Sequence, residues 1–168
     1  MRRGSNLTLT IGVAVLFAAA TAAAQEASKR AKNQRLPTAV SQAIHANKPG
    51  AEIDKIEIEK ESGITLYDIE FKGDQGEIEV AEDGTVIDVT TIVNVKDVPE
   101  AAVAAIRKAA KGQTIKRFER AEVRAEIVKK GKTGRISRLA APKYLYEAEL
   151  ANGEVEVTPE GKVIKVGK

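Results

Sequence analysis

Gly76-Glu77-Ile78-Glu79-Val80-Ala81-Glu82-Asp83-Gly84-Thr85-Val86-Ile87-Asp88-Val89 decides how the chain is read. It returns as Gly153-Glu154-Val155-Glu156-Val157-Thr158-Pro159-Glu160-Gly161-Lys162-Val163-Ile164-Lys165-Val166, at an offset of 77. Apolar and charged residues alternate on either side of Asp83-Gly84 and of Glu160-Gly161. That pattern predicts two half-buried strands joined by a tight turn, used twice.

Working outward, Leu36-Pro37 precedes Ala39, Val40, Ala43 and Ile44 at helical spacing, and Asn47-Lys48-Pro49-Gly50 stops the helix. Residues 53–60 alternate next. Tyr67, Ile69 and Phe71 then face inward, with Asp68 and Glu70 outward. The second half repeats the opening at an offset of 62, with Val98-Pro99 for Leu36-Pro37 and Ala105-Ile106 for Ala43-Ile44. A longer insert follows, with extended arms at 121–128 and 139–150 around a basic turn that holds Lys129, Lys130, Lys132 and Arg135. The expectation is an α+β protein of two tandem units, each one helix packed on a four-stranded antiparallel sheet. The strand-like residues Thr91, Ile92, Val93 and Val95 connect the units.

Strand parity puts carboxylates on the side away from each helix: Glu57, Glu59, Asp68, Glu70, Glu77, Glu79 and Asp88 in the first half, then Glu147, Glu149, Glu154 and Glu156 in the second. A helix on one face leaves the other face to water, so this side is expected to be solvated or to meet something basic. Residues 36–89 hold 13 acidic and 4 basic residues, and residues 98–166 hold 9 acidic and 15 basic. Two readings of that asymmetry stand side by side. It is ordinary solvated surface, or the basic hairpin, in the same or a neighbouring chain, approaches the acidic sheet.

The N-terminus carries Arg2 and Arg3, an apolar run from Leu7 to Ala20, and the small residues Ala22-Ala23-Ala24. This is the pattern of a signal peptide over 1–24. Residues 25–35 read as a flexible basic leader, 36–97 as the first unit with its connector, and 98–168 as the second unit with the long basic hairpin. The expected address is periplasmic or extracellular, with no stable membrane span after cleavage.

Chemistry-bearing constellations are scarce. Cysteine is absent and His45 is the only histidine, which excludes a zinc site of the usual ligands and a Cys–His nucleophile. No serine stands in a nucleophile elbow. Gly131-Lys132-Thr133 has Glu126 where a phosphate loop needs its first glycine. With Tyr67, Phe71, Phe118, Tyr144 and Tyr146 as the aromatic residues beyond the signal segment, nucleic acid is not an expected partner. No enzyme, no cofactor and no catalytic residue are expected. Clustered carboxylates leave calcium binding, as an envelope sensor or buffer, as the alternative reading.

Leu36-Pro37, Val98-Pro99, Tyr67, Tyr146, Gly84 and Gly161, with their flanking strands, resemble the PepSY-like superfamily and its β-lactamase-inhibitor-like branch. The resemblance covers 36–89 and 98–166. It implies an exported, non-enzymatic module that binds or regulates another envelope protein, with peptidases among the candidates. Inhibitors of this plan bind across the sheet surface. No inhibitory residue is carried across to this chain.

Overall fold

The computed structural model describes residues 36–131 and 133–167. The expected signal peptide and basic leader, and Lys132 of the hairpin, lie outside the described residues.

Helix α1 spans Thr38–Asn47, and strands β1 to β4 follow at Ile53–Glu61, Ile64–Phe71, Glu77–Ala81 and Val86–Val93. A 3-10 turn at Val95–Asp97 leads into helix α2, Glu100–Ala110. Strands β5 to β8 then run Ile115–Lys130, Thr133–Leu150, Gly153–Val157 and Val163–Val166. Both helices start directly after a proline. Pro37 and Pro99 hold φ at −53° and keep ψ extended. Their carbonyls accept from Ser41 and Val103 N–H at 3.0 Å, which begins each helical ladder.

The expected pair of four-stranded units is not what forms. All eight strands make one antiparallel sheet in the order β1-β2-β3-β4-β5-β6-β7-β8. The joint is β4 with β5, in register from Asp88↔Val123 to Val93↔Phe118. The physical reason lies in the connector. Thr91, Ile92 and Val93 extend β4 into a long strand whose free side would be an unpaired edge. Residues Phe118 to Val123 pair with it and remove that edge.

The shared sheet puts both helices on one side. Val89 and Val93 lie four residues apart on β4 and so point the same way. Val89 packs with Val40, Ile44, Tyr67, Ile69, Phe71, Ile78 and Val80 around α1. Val93 packs with Ala102, Ile106, Ala148, Leu150, Val155 and Val157 around α2.

On the other side, β5 and β6 project as a long arm beyond their pairing with β4. Ile127 and Ile136 of this arm pack with Ile64, Leu66, Ala81, Ile87 and Ala125 in a third apolar cluster. The Gly134 N–H donates to the Ser62 carbonyl at 2.7 Å. Lys129 meets Glu61 at 2.9 Å, and Arg138 donates to Thr85 Oγ1 at 3.1 Å. The arm therefore folds back over the near end of the carboxylate side.

Two glycine turns fix the helices against the sheet. Gly84 and Gly161 have φ of +85° and +82°, and a Cβ there would lie 2.9 Å from the Ala39 carbonyl oxygen and 2.5 Å from that of Ala101. Gly112 has a matching φ of +83° with nothing within 4 Å. Gly161→Ala should therefore cost roughly 2–3 kcal/mol against about 1 kcal/mol for Gly112→Ala, since only the former adds a backbone clash to the left-handed strain. Urea unfolding of the two variants measures the difference. Equal losses would mean that α2 slides freely away from the β7–β8 turn.

Candidate functional site

Each carboxylate on the side away from the helices is placed by strand parity, and register lines these groups up across the sheet. Glu57↔Asp68, Asp68↔Glu79 and Glu79↔Asp88 form one row across β1 to β4. Beside it runs Lys55↔Glu70, Glu70↔Glu77 and Glu77↔Thr90. In the second half Glu119↔Glu147, Glu147↔Glu156 and Glu156↔Lys165 make a row, with Arg117↔Glu149 and Glu149↔Glu154 next to it. All eleven carboxylates expected on one face thus share it. Glu59 lies at its rim, opposite Leu66.

This face is much less open than parity alone suggests. Asp88, Glu119, Glu154 and Glu156 are buried at 4–5 % exposure, and Glu57, Glu59, Asp68, Glu70, Glu77, Glu79, Glu147 and Glu149 are half-buried. The sheet face expected to be solvated is instead largely withdrawn from water, a carboxylate trough in the sense of its burial alone. Its two halves lie near enough to repel each other: Glu77 feels Glu119 and Glu147, and Asp88 feels Glu156.

The halves differ in their cations. In the second half Arg117 reaches Glu119 at 2.7 Å and Glu149 at 3.2 Å, Lys116 reaches Glu149 at 2.8 Å, and Lys165 pairs with Glu154. In the first half Lys55, near the outer edge, meets Glu70 at 2.9 Å and Glu57 at 3.0 Å. Farther in, Asp68, Glu77, Glu79 and Asp88 take no salt bridge from any described residue.

Burial without a counter-ion disfavours the charged form. Desolvation, then neighbouring carboxylates, hold Asp68, Glu77, Glu79 and Asp88 well above the ordinary carboxylate range. Glu147 is raised by burial and by the carboxylates around it, and its hydrogen bond with Glu154 adds to the shift. Burial takes Glu156 up to about 7 although Lys165 opposes the shift. Glu119 is also raised by burial, against the pull of Arg117.

The basic hairpin does not lie along the trough. Lys129 is tied to Glu61 at the β1–β2 turn, while Lys130 and Arg135 are exposed. The hairpin thus approaches the acidic sheet within the same chain, but at its rim. His45 is exposed in the last turn of α1. Among the described residues no group of three or more His, Cys, Asp or Glu is arranged to hold a metal ion, so the calcium alternative gains no geometric support. No described helix is long and apolar enough to cross a membrane.

Sequence reasoning missed Glu119 and Arg117 as members of the face. Their signal was present: Arg117, Glu119, Ala121 and Val123 alternate with Phe118 in the same parity as the other strands. It was masked because the arm was expected to start later, at 121.

No protein-family model matches the chain, and no curated protein matches it. Among solved structures it is similar to a protein described as a candidate periplasmic protein from Bacteroides eggerthii. The TM-score is 0.50 and the identity 12 %, over 79 % of this chain and 88 % of that one. It is also similar to a DUF2874 family protein from Bacteroides uniformis, with a TM-score of 0.45 and 15 % identity over 77 % and 87 %. A BLIP-like protein from Bacteroides fragilis gives 0.43 and 13 % over 80 % and 88 %. At these identities the likeness is one of fold.

The raised carboxyls give stability a sign with pH. Unfolding returns each group to the ordinary range near 4. Between that range and the raised native value the folded chain holds more protons than the unfolded one, so stability falls as pH rises. For Glu156 that window runs from the usual 4.5 up to about 7. The melting temperature should be highest near pH 5 and drop by roughly 5 °C or more toward pH 8. Asp68→Asn combined with Glu79→Gln should flatten the profile. Thermal melts across this range check both expectations, and a Tm that climbs from pH 5 to pH 8 would contradict them.

Proposed function

We propose that the chain is an exported, non-enzymatic module that binds another protein of the cell envelope through its carboxylate trough, and that this binding inhibits or otherwise regulates the partner, a peptidase being one candidate. The observation that carries this reading is the run of half-buried and buried carboxyls, Asp68, Glu77, Glu79 and Asp88, which take no direct ion pair from any described residue. Folding gains nothing from such a run, because facing like charges repel and desolvation adds to the cost. A basic partner surface would supply the missing charges and the complementarity that sets specificity.

Two further points support it. The sequence of the first 24 residues reads as an export signal, in keeping with the description of the Bacteroides eggerthii protein as periplasmic. The PepSY-like reading of Leu36-Pro37, Val98-Pro99, Gly84 and Gly161 implies the same kind of role. The partner-facing residues are then Glu57, Glu59, Asp68, Glu70, Glu77 and Glu79, with Glu147, Glu149, Glu154 and Glu156 on the second half.

The test is capture from a native envelope fraction, identification of the captured protein by mass spectrometry, and titration of that protein in purified form. Asp68→Asn, Glu77→Gln and Glu79→Gln together should weaken its binding about a hundredfold, or roughly 2.7 kcal/mol. The same triple variant should melt no lower than the parent at pH 7.5, which separates lost recognition from lost folding. Unchanged affinity would remove the trough as the binding surface.

A further inference from the structure

The two halves of the trough differ in what they lack. The Glu119–Glu147–Glu156 row ends on Lys165, and Arg117 sits between Glu119 and Glu149. The Glu57–Asp68–Glu79–Asp88 row has Lys55 beside its outer end and, among the described residues, no ion pair at its inner end. That inner end is Asp88, 5 % exposed, with no hydrogen bond or ion pair from a described residue. A carboxyl so deeply withdrawn, beside the less buried Glu77 and Glu79, takes no donor from the described residues.

We propose that the β1–β4 half of the trough is a receptor for an extended, arginine- and lysine-rich segment of the partner, laid across the strands, with one cationic side chain taken up against Asp88. This rests on the protein-binding reading and narrows it to one half of the face and one partner chemistry. The row spans four strands at about 4.8 Å each. Carboxyls therefore recur roughly every 4.8 Å along it. An extended peptide places alternate side chains about 6.6–6.8 Å apart on one face, so three inward side chains span about 13.4 Å against roughly 14.4 Å for the four carboxyls, and the long Arg and Lys stems take up the mismatch between the two repeats. The planar guanidinium suits paired carboxylate oxygens at Glu79 and Asp88.

Several charged groups surround Asp88. Glu77 and Glu79 face it from β3, and Asp68 and Glu70 from β2. Glu156 approaches from β7. Val123 is its uncharged neighbour on β5, where Arg117 and Glu119 stand farther along. Arg138 of the arm is engaged by Thr85. Carboxylates predominate, so burial and repulsion make the inner groups hold their protons to higher pH than an ordinary carboxylate does. A bound guanidinium or ammonium stabilises the ionised form and expels those protons into the buffer.

The experiment is calorimetric titration of the mature chain with hexa-arginine amide at pH 7.0, in phosphate and again in Tris. The two buffers differ in heat of ionisation, so the difference in apparent enthalpy counts protons released. One or more protons per peptide is expected. Asp88→Asn should weaken binding about tenfold and remove part of the release, while Glu122→Gln, on the helix side and paired with Arg124, should change affinity less than about threefold. Glu79→Gln, at a less buried position, should reproduce the loss and guards against a folding defect in the first variant. Binding without proton release, or equal loss from Glu122→Gln and Asp88→Asn, would overturn the proposal. So would spermine or calcium binding as tightly as the peptide. If the captured envelope partner binds normally to Asp88→Asn, this inference fails while the protein-binding reading stands. If hexa-arginine behaves as expected and no envelope protein binds, the receptor stands and the proposed function fails.

Discussion

The pairing of β4 with β5 is the constraint from which the rest of the structure follows. Six residue pairs, Asp88↔Val123 to Val93↔Phe118, turn what would be two sheets into one. Once the sheet is continuous, strand parity is shared across it. Val89 and Val93 then commit both helices to one side, and Asp88 and Thr90 commit every outward carboxylate to the other. Two separate sheets would have allowed their acidic faces to turn away from each other. A single sheet forces them together, which is why Glu77 feels Glu119 and Glu147 from strands on the far side of the joint.

That enforced proximity explains why protonation matters more here than on an ordinary acidic surface. Exposed carboxylates at strand spacing lose only a few tenths of a kcal/mol per facing pair, because water screens them. Desolvated ones cannot be screened. They are neutralised by a cation, by a proton or by a partner. The second half takes the first route at Glu119, Glu149 and Glu154, through Arg117, Lys116 and Lys165, while its Glu147 and Glu156 are held above the ordinary range by burial. The inner part of the first half, with no such ion pair among the described residues, takes the second, and its groups are held above the ordinary range with burial as the leading cause in each.

Local structure was legible in the sequence, and long-range register was not. The alternation in Gly76 to Val89 and Gly153 to Val166, the proline starts of the helices, and the inward Tyr67, Ile69 and Phe71 all rest on neighbours within a few residues, and all stand in the structure. The membership of the carboxylate face followed from parity alone. The single sheet did not, because nothing in the alternation of β4 says which strand takes its free side. The burial of the face was missed for the same reason. Parity says which side a carboxylate occupies, and only the curl of the sheet and the return of the arm decide how much water remains there. The arm's own contacts, Gly134 with Ser62 and Lys129 with Glu61, join residues about seventy apart in sequence and leave no local trace.

The arm also clarifies what remains for a partner to meet. Leu66, Ala81 and Ile87 would form an apolar patch on the carboxylate side if left bare. Ile127 and Ile136 cover it. The chain thus covers the apolar part of this face from within, and pairs Glu119, Glu149 and Glu154 of its second half with its own cations. Among the described residues, the carboxyls left without an ion pair are chiefly the inner ones of β2, β3 and β4, together with Glu147 and Glu156. A surface patch left over by folding in general would mix apolar and charged groups. Here the remainder is of one chemical kind and sits in one place. Asn and Gln at these positions would keep the shape of the side chains and remove the repulsion, so the fold alone gives no reason for acids there. Recognition of a cationic group does give one, because only the carboxyl exchanges its proton for the charge it meets.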